Sequence, residues 1–113
     1  MTTETFEFDN LIAGAYPPEN QVEIIASGET VVRGSVLGRV TASGKLKVSA
    51  SAAADGSQVP KFIAAYDLGA LTADTEAEVF KAGCFRVSGL TLGAGHTAAS
   101  VRAAFDGSPI ILK

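Results

Sequence analysis

The sequence predicts a small β-rich α+β domain of short strands and hairpins, with one short helix near the C-terminus and an extended N-terminal arm. Short runs rich in Val, Ile and Thr recur from residue 21 onwards, separated by Gly, Ser and Asp. One later segment has helical spacing behind a good N-cap, Thr97. The first 20 residues show neither pattern. We therefore divide the chain into an arm, residues 1–20, and one domain, residues 21–113.

The predicted arm carries scattered apolar side chains among polar and acidic ones. Apolar and acidic residues alternate from Phe6 to Asp9, which is typical of a strand. A lone strand at a terminus has no partner of its own and must add to the edge of another sheet. Pro17 and Pro18 stiffen the link to the domain. The residues predicted to bind a partner in this way are Thr5, Phe6, Glu7, Phe8, Asp9, Leu11 and Ile12.

Most of the domain is predicted to be β structure. Strand candidates are residues 22–26, 30–33, 35–40, 45–48 and 61–66, with turns at the Gly- and Ser-rich segments between them. The small-residue stretch 49–58 is predicted to be a loop. We expect the resulting sheet to supply most of the hydrophobic core.

The run from Val79 to Val87 predicts a hairpin. After Gly83, apolar residues such as Phe85 alternate with polar residues such as Arg86. Glycine can adopt the positive φ that a three-residue hairpin loop needs. We therefore expect two short strands to fold back on each other about Gly83, within a hairpin that spans residues 75–87.

The segment after Gly93 predicts the only helix. Thr97 is a suitable N-cap, and Gly107 suits the end of the helix. The side chains expected on its apolar stripe are Ala98, Val101, Ala104 and Phe105. A final strand is predicted over residues 110–112.

Composition narrows the possible partners. The formal net charge is −3 and no cluster of Lys and Arg is visible, which argues against nucleic-acid binding. No signal peptide is recognisable at the N-terminus and no apolar run is long enough to cross a bilayer, so we expect no membrane partner and synthesis in a cytoplasm. Ala accounts for much of the apolar 47% of the chain, and there is no Trp. So modest a core often gains stability from oligomerisation.

Catalytic and metal sites receive little support. Cys84, His96 and Asp106 could form a thiol hydrolase triad, but no local signature surrounds the cysteine. We expect Cys84 to be a small packing residue in a strand and His96 to be a solvated loop residue. One His and one Cys cannot supply the three or four ligands that zinc requires. The sequence therefore predicts no enzyme, metal or cofactor.

Two Lys-bearing segments are partly similar to known binding motifs. The segment from Gly38 to Lys45 has five residues between its glycines and Leu46 after the lysine, whereas a phosphate-binding loop needs four and a Ser or Thr. Residues 33–40, followed by a Lys-bearing hairpin, resemble small β domains that carry biotin or lipoate on a lysine, here Lys45. The turn residues that their ligases recognise are missing, so an ordinary hairpin with solvated lysines is favoured. This carrier or adaptor reading remains the alternative.

Several segments, taken in order, resemble the head decoration proteins of lambda-type tailed bacteriophages. The most specific is 79–87, which has an aromatic residue, Lys, a small residue, Gly, a small residue and then Phe-Arg. The other similar segments are residues 35–37, 45–46, 55–56, 63–65 and 103–107. The resemblance extends over residues 35–113, and the chain differs from the family's pattern at about residues 10–34.

This resemblance implies a non-enzymatic, β-rich α+β domain that assembles as a homotrimer. Such proteins bind the outside of the expanded icosahedral phage head at local three-fold positions and clamp major capsid subunits against the pressure of packaged DNA. The arm before the domain is implied to add a strand to the capsid protein. No small-molecule substrate is implied.

Overall fold

The computed structural model describes residues 18–113, and it confirms a β-rich fold with one short helix near the C-terminus. Within these residues no helix has the length and hydropathy of a membrane span. A 3-10 turn at Val87–Gly89 follows the seventh strand. The elements are β1 (Glu19–Ile25), β2 (Thr30–Val31), β3 (Val36–Arg39), β4 (Leu46–Val48), β5 (Pro60–Ala64), β6 (Gly69–Ala70), β7 (Thr75–Phe85), α1 (Ala98–Ala104) and β8 (Ile110–Leu112).

Five of the strands close into a barrel. Their order is β1-β4-β3-β5-β7, and β7 pairs again with β1 along an antiparallel ladder. The seam between β1 and β4 is narrow, because Ile25 and Leu46 form the only residue pair there among the described residues. β8 lies outside the barrel and pairs in parallel with the last three residues of β7. β2 and β6 form a separate two-stranded ribbon, and β6 was not predicted because two residues carry no periodic signal.

Alternate residues of the barrel strands point to opposite faces, and two apolar clusters result. One cluster fills the barrel interior. It consists of Ile25, Val31, Leu37, Leu46, Ala64 and Val79. The second lies between the outer face of the sheet, α1 and β8. It consists of Val36, Ile63, Ala65, Phe80, Phe85, Val101, Phe105 and Ile110.

The predicted hairpin about Gly83 is wrong, because β7 runs through this residue as one continuous strand. Glu19 pairs with Ala82 but Asn20 pairs with Phe80, so Lys81 is the extra residue of a β-bulge. Gly83 does have a positive φ of 134°, as the sequence predicted. The chain does not reverse at Gly83: the first part of β7 pairs with β1, and the last three residues pair with β8.

The helix prediction is confirmed. Thr97 accepts a hydrogen bond from the backbone N–H of Ser100, and the Ser100 hydroxyl accepts one from the backbone N–H of Thr97. This reciprocal capping box satisfies two backbone donors that the first turn leaves unpaired. Val101 and Phe105 are buried as expected, whereas Ala98 is exposed, so the apolar stripe is narrower than predicted.

Candidate functional site

The residues predicted to bind a partner, Thr5 to Ile12, lie outside the described residues. The structure does describe where the chain enters the domain. A Cβ atom built on Gly83 would lie only 2.9 Å from the Cα atom of Pro18, so the two backbones are in close contact. β8 begins at the same place, since Gly83 pairs with Ile110 and its N–H donates to the carbonyl of Pro109 at 3.1 Å. Pro18, the first described residue, therefore lies beside the start of β8.

His96 is not the solvated loop residue that the sequence predicted. Its ring is half-buried and connects three segments: Nε2 lies 3.1 Å from the Ser49 hydroxyl and 3.0 Å from the Gln58 carbonyl, and Nδ1 lies 2.9 Å from the Ser100 hydroxyl. A carbonyl oxygen only accepts, so Nε2 must carry the proton that it donates to Gln58. Both ring nitrogens are thus committed to the fold.

The remaining chemical candidates also have ordinary structural roles. Cys84 is a free thiol buried in β7, which agrees with the predicted packing role. No group of three or more His, Cys, Asp and Glu residues that could bind a metal occurs in the described part of the chain. Lys45 lies at the surface with its Nζ 2.5 Å from Asp74 Oδ2. In the described domain, Cys84 therefore serves packing and Lys45 a surface ion pair.

A bidentate ion pair links β1 to β3, the two strands that flank β4. Arg39 Nη1 and Nη2 each lie 3.0 Å from one carboxylate oxygen of Glu23, and Nη1 also donates to the Gly44 carbonyl at 2.8 Å. The guanidinium lies over the ring of Phe62, 5.3 Å from its centroid. The hydrogen bonds from Arg39 lower the pKa of Glu23 below its ordinary value. The pair therefore connects two strands that lie on either side of β4 in the sheet.

The outer face of the barrel has one half that nothing in the described structure covers, here called the bare half. Val22 and Ile24 of β1 stand directly opposite Glu78 and Glu76 of β7, and opposed residues share a face. The bare half consists of Val22, Ile24, Tyr66, Glu76 and Glu78, and it is bordered by Leu68, which is partly buried against the interior cluster. The exposed fractions of Val22, Ile24 and Tyr66 are 58%, 42% and 55%. It is an apolar strip with an acidic rim.

A second surface lies between α1 and β8, here called the β8–helix groove. It is lined by Arg102, Phe105, Asp106, Gly107, Ser108, Ile110, Ile111 and Leu112. Ile111 is 42% exposed, and Arg102 and Lys113 are also exposed. Arg86, likewise exposed, precedes Val87, whose N–H donates to the carbonyl of Lys113 at 3.2 Å. Basic side chains therefore outnumber Asp106 around this groove.

The chain was compared with models of known protein families and with curated protein sequences. A family model for Bacteriophage lambda head decoration protein D matches residues 2–111. The chain belongs to this family. Curated protein sequences gave no match. The protein is therefore a phage head decoration protein, a structural component of the virion capsid, and its family is not known as an enzyme family.

The family match covers residues 2–111, more of this chain than the resemblance over residues 35–113. It includes residues 10–34, where the chain looked different from the family's pattern. The described part of this region forms β1, β2 and the turn between them, so it belongs to the barrel. β1 begins at Glu19, two residues before the predicted start of the domain. The division into an arm and a domain stays a prediction.

Sequence reasoning missed the bare half and the groove. A signal for the bare half was present: Val22, Ile24 and Ile25 place apolar residues on both faces of one strand. A strand that is apolar on both faces needs cover on both faces. The groove had no such signal, because it depends on the parallel pairing of β8 with β7, which joins residues 25 or more positions apart.

Proposed function

We propose that the protein binds the outside of the expanded icosahedral head as a homotrimer at local three-fold positions and clamps major capsid subunits against internal DNA pressure. The observation that carries this proposal is the family match over residues 2–111. The attachment device is the arm, through Thr5, Phe6, Glu7, Phe8, Asp9, Leu11 and Ile12. On this proposal the chain is made in the host cytoplasm and has no nucleic-acid, membrane or small-molecule partner.

The composition of the arm supports this role. A strand that alternates Phe with acidic residues can hydrogen-bond through its main chain to a sheet edge of the capsid protein, while its Phe side chains fill pockets there. Burial of one Phe contributes about 1.5–3 kcal/mol, and the ordering of the arm opposes part of this gain. One arm alone would therefore bind only modestly.

The way in which the chain enters the domain supports a clamp. Because the Pro18 backbone packs against Gly83 of β7, tension on an attached arm passes directly into the longest strand of the barrel. Three arms on one trimer also make the second and third attachments intramolecular, which raises avidity by roughly 10²–10⁴ where the geometry matches. Trimer formation and arm binding thus belong to one mechanism.

The test is a co-sedimentation assay with expanded heads. The double variant Phe6→Ala with Phe8→Ala should lose most of the binding of the wild-type protein, because apolar anchors supply most of the docking energy. Glu4→Ala, which changes the same segment without touching the Phe side chains, should bind nearly as well as wild type. If the double variant binds as tightly as wild type, attachment occurs through the domain and the arm assignment is wrong.

The clamping function is tested separately, by the heat stability of phage heads. DNA-filled heads that carry the protein should survive heating to a higher temperature than bare heads, and heads decorated with the double Phe variant at equal occupancy should lie between them. Equal heat stability of bare and decorated heads would contradict the clamp.

The carrier alternative is tested by the intact mass of the purified protein. A mass equal to that of the unmodified chain agrees with a decoration protein, and a biotin or lipoate adduct on Lys45 would support the alternative. In the structure the Nζ of Lys45 pairs with Asp74, an ordinary surface ion pair.

A further inference from the structure

Two surfaces of the domain are apolar, exposed and differently charged. The bare half has Val22 and Tyr66 at its centre and Glu76 and Glu78 beside them. The β8–helix groove is lined by the exposed Ile111 and by one base and one acid, Arg102 and Asp106, and the exposed basic residues Arg86 and Lys113 flank it. Exposed apolar strips with polar rims are typical of protein–protein contacts.

The two surfaces lie at opposite ends of the same long strand. Glu76 and Glu78 belong to the first half of β7, whereas β8 pairs with its last three residues, Gly83 to Phe85. Seven residues of extended strand separate Glu78 from Phe85, a distance of about 23 Å. One copy of the domain therefore cannot bring its own two surfaces together, but two copies can.

We propose that the bare half of one copy docks on the β8–helix groove of the next copy, which makes a head-to-tail contact between subunits. This inference rests on the proposed homotrimer and adds the two faces through which it forms. A closed ring of three identical subunits needs two different, complementary patches on each subunit, because a self-complementary patch gives a two-fold dimer. The domain carries two such patches.

Charge decides which patches meet. Contact of the bare half with a second bare half would place Glu76 and Glu78 against the same acids of the partner, and like charges in contact suppress association. Contact with the β8–helix groove places these acids near Arg102 and Lys113 and covers Val22 and Tyr66 with the Ile111 region. The groove also adjoins Pro18, so a ring built in this way brings the attachment point of each arm close to a subunit contact.

A charge-reversal cycle tests the pairing. Glu76→Lys and Arg102→Glu should each raise the concentration at which the trimer dissociates by about tenfold or more, because each places like charges in the contact. The double variant Glu76→Lys with Arg102→Glu should recover most of the wild-type value. Lys61→Glu is the matched control, since Lys61 is an exposed residue of β5 that lines neither surface. The measurement is solution mass by light scattering across a dilution series.

Further measurements distinguish loss of folding from loss of the proposed contact between subunits. Melting temperatures at high protein concentration should stay within a few degrees of wild type, because both altered side chains are exposed. Tyr66→Ser, which changes no charge, should also weaken the trimer. A wild-type trimer that is unaffected by either reversal would overturn the assignment of the faces and leave the decoration function standing. A wild-type monomer would overturn both this inference and the proposed trimer. Reversals that abolish head binding without changing the mass would show that the capsid occupies these faces.

Discussion

The outer face of the barrel has two halves that differ in what covers their apolar side chains. In the half covered by α1, Val36, Ile63 and Phe80 pack under Phe105 and are almost fully buried. In the bare half, Val22 stands in solvent on the neighbouring strand. The covered half is apolar on each of its strands, whereas in the bare half the apolar side chains of β1 stand opposite two acids of β7. The difference is that a helix of seven residues is long enough to cover only one half.

This comparison separates residues that stabilise the fold from residues that are available for binding. An apolar side chain contributes to folding only where another part of the same chain removes it from water. The same type of side chain on the bare half contributes when a second molecule covers it. We therefore expect substitutions in the two halves to affect different measurements.

The largest effect is expected for Phe105→Ala in the covered half. Phe105 is 3% exposed, and truncation of a buried Phe typically costs about 3–5 kcal/mol of unfolding free energy. Val22→Ala in the bare half is the matched variant, and its effect on the isolated domain should be within about 0.5 kcal/mol. Urea unfolding at two protein concentrations distinguishes loss of folding from loss of association. Similar losses in both variants would contradict the comparison.

A smaller but clear loss is expected for Gly83→Val. The residue has a φ of 134°, and a Cβ atom there would meet the Pro18 backbone at 2.9 Å. Such strain costs about 1–3 kcal/mol. Gly44→Val is the control: its φ is 75°, but a Cβ atom there would meet nothing within 4 Å. Thermal unfolding should therefore show a larger decrease for Gly83→Val, and an equal decrease would mean that the Pro18 contact contributes nothing.

Gly83 also shows how far the sequence could predict this fold. Its positive φ was predictable, because glycine is the residue that adopts it readily. The continuous strand through Gly83 was not predictable from the sequence. A hairpin and a bulged strand share the same local signal, and they differ only in which distant strands pair on each side of the glycine. Helix α1 was predicted well because Thr97, Ser100 and the apolar spacing all act within one short segment. Barrel closure, β8 pairing and the contacts of His96 depend on long-range pairing, which no local pattern specifies.

The functional surfaces follow the same division. The Phe and acid alternation of residues 6–9 is a local pattern, so it could be recognised in the sequence. To predict the bare half, one must know that no other part of the described chain covers Val22. To predict the β8–helix groove, one must know that β8 lies beside α1. Those facts exist only once the chain is folded.

An intermediate effect of about 1 kcal/mol is expected for Glu23→Gln, because the ion pair with Arg39 is only partly shielded from water. Arg39 lowers the pKa of Glu23 from its ordinary value of 4.5. The charged carboxylate therefore stabilises the fold above pH 4.5, and this contribution is lost as the pH falls through the lowered pKa. Urea unfolding at pH 7 and at pH 3 should show a difference between wild type and variant that shrinks in acid. A difference that is constant with pH would exclude the ion pair as its cause.

The smallest effect on assembly and head binding is expected for Cys84→Ser. The side chain is buried and has a packing role, and Ser has a similar size. The variant should form trimers and sediment with expanded heads as the wild type does, with a stability loss of about 1 kcal/mol from the buried hydroxyl. A loss of head binding beyond a few-fold would show that the thiol has a function.

The central claim is that the bare half is the surface that a second copy covers when the protein is assembled. An electron cryomicroscopy reconstruction of expanded heads decorated with the full chain tests it most directly. We expect Val22 and Tyr66 of each subunit to lie against the Ile111 and Arg102 region of the next, with the arm residues on the capsid protein. A reconstruction in which Val22 and Tyr66 face solvent or the capsid surface, with no neighbouring copy on them, would contradict the account.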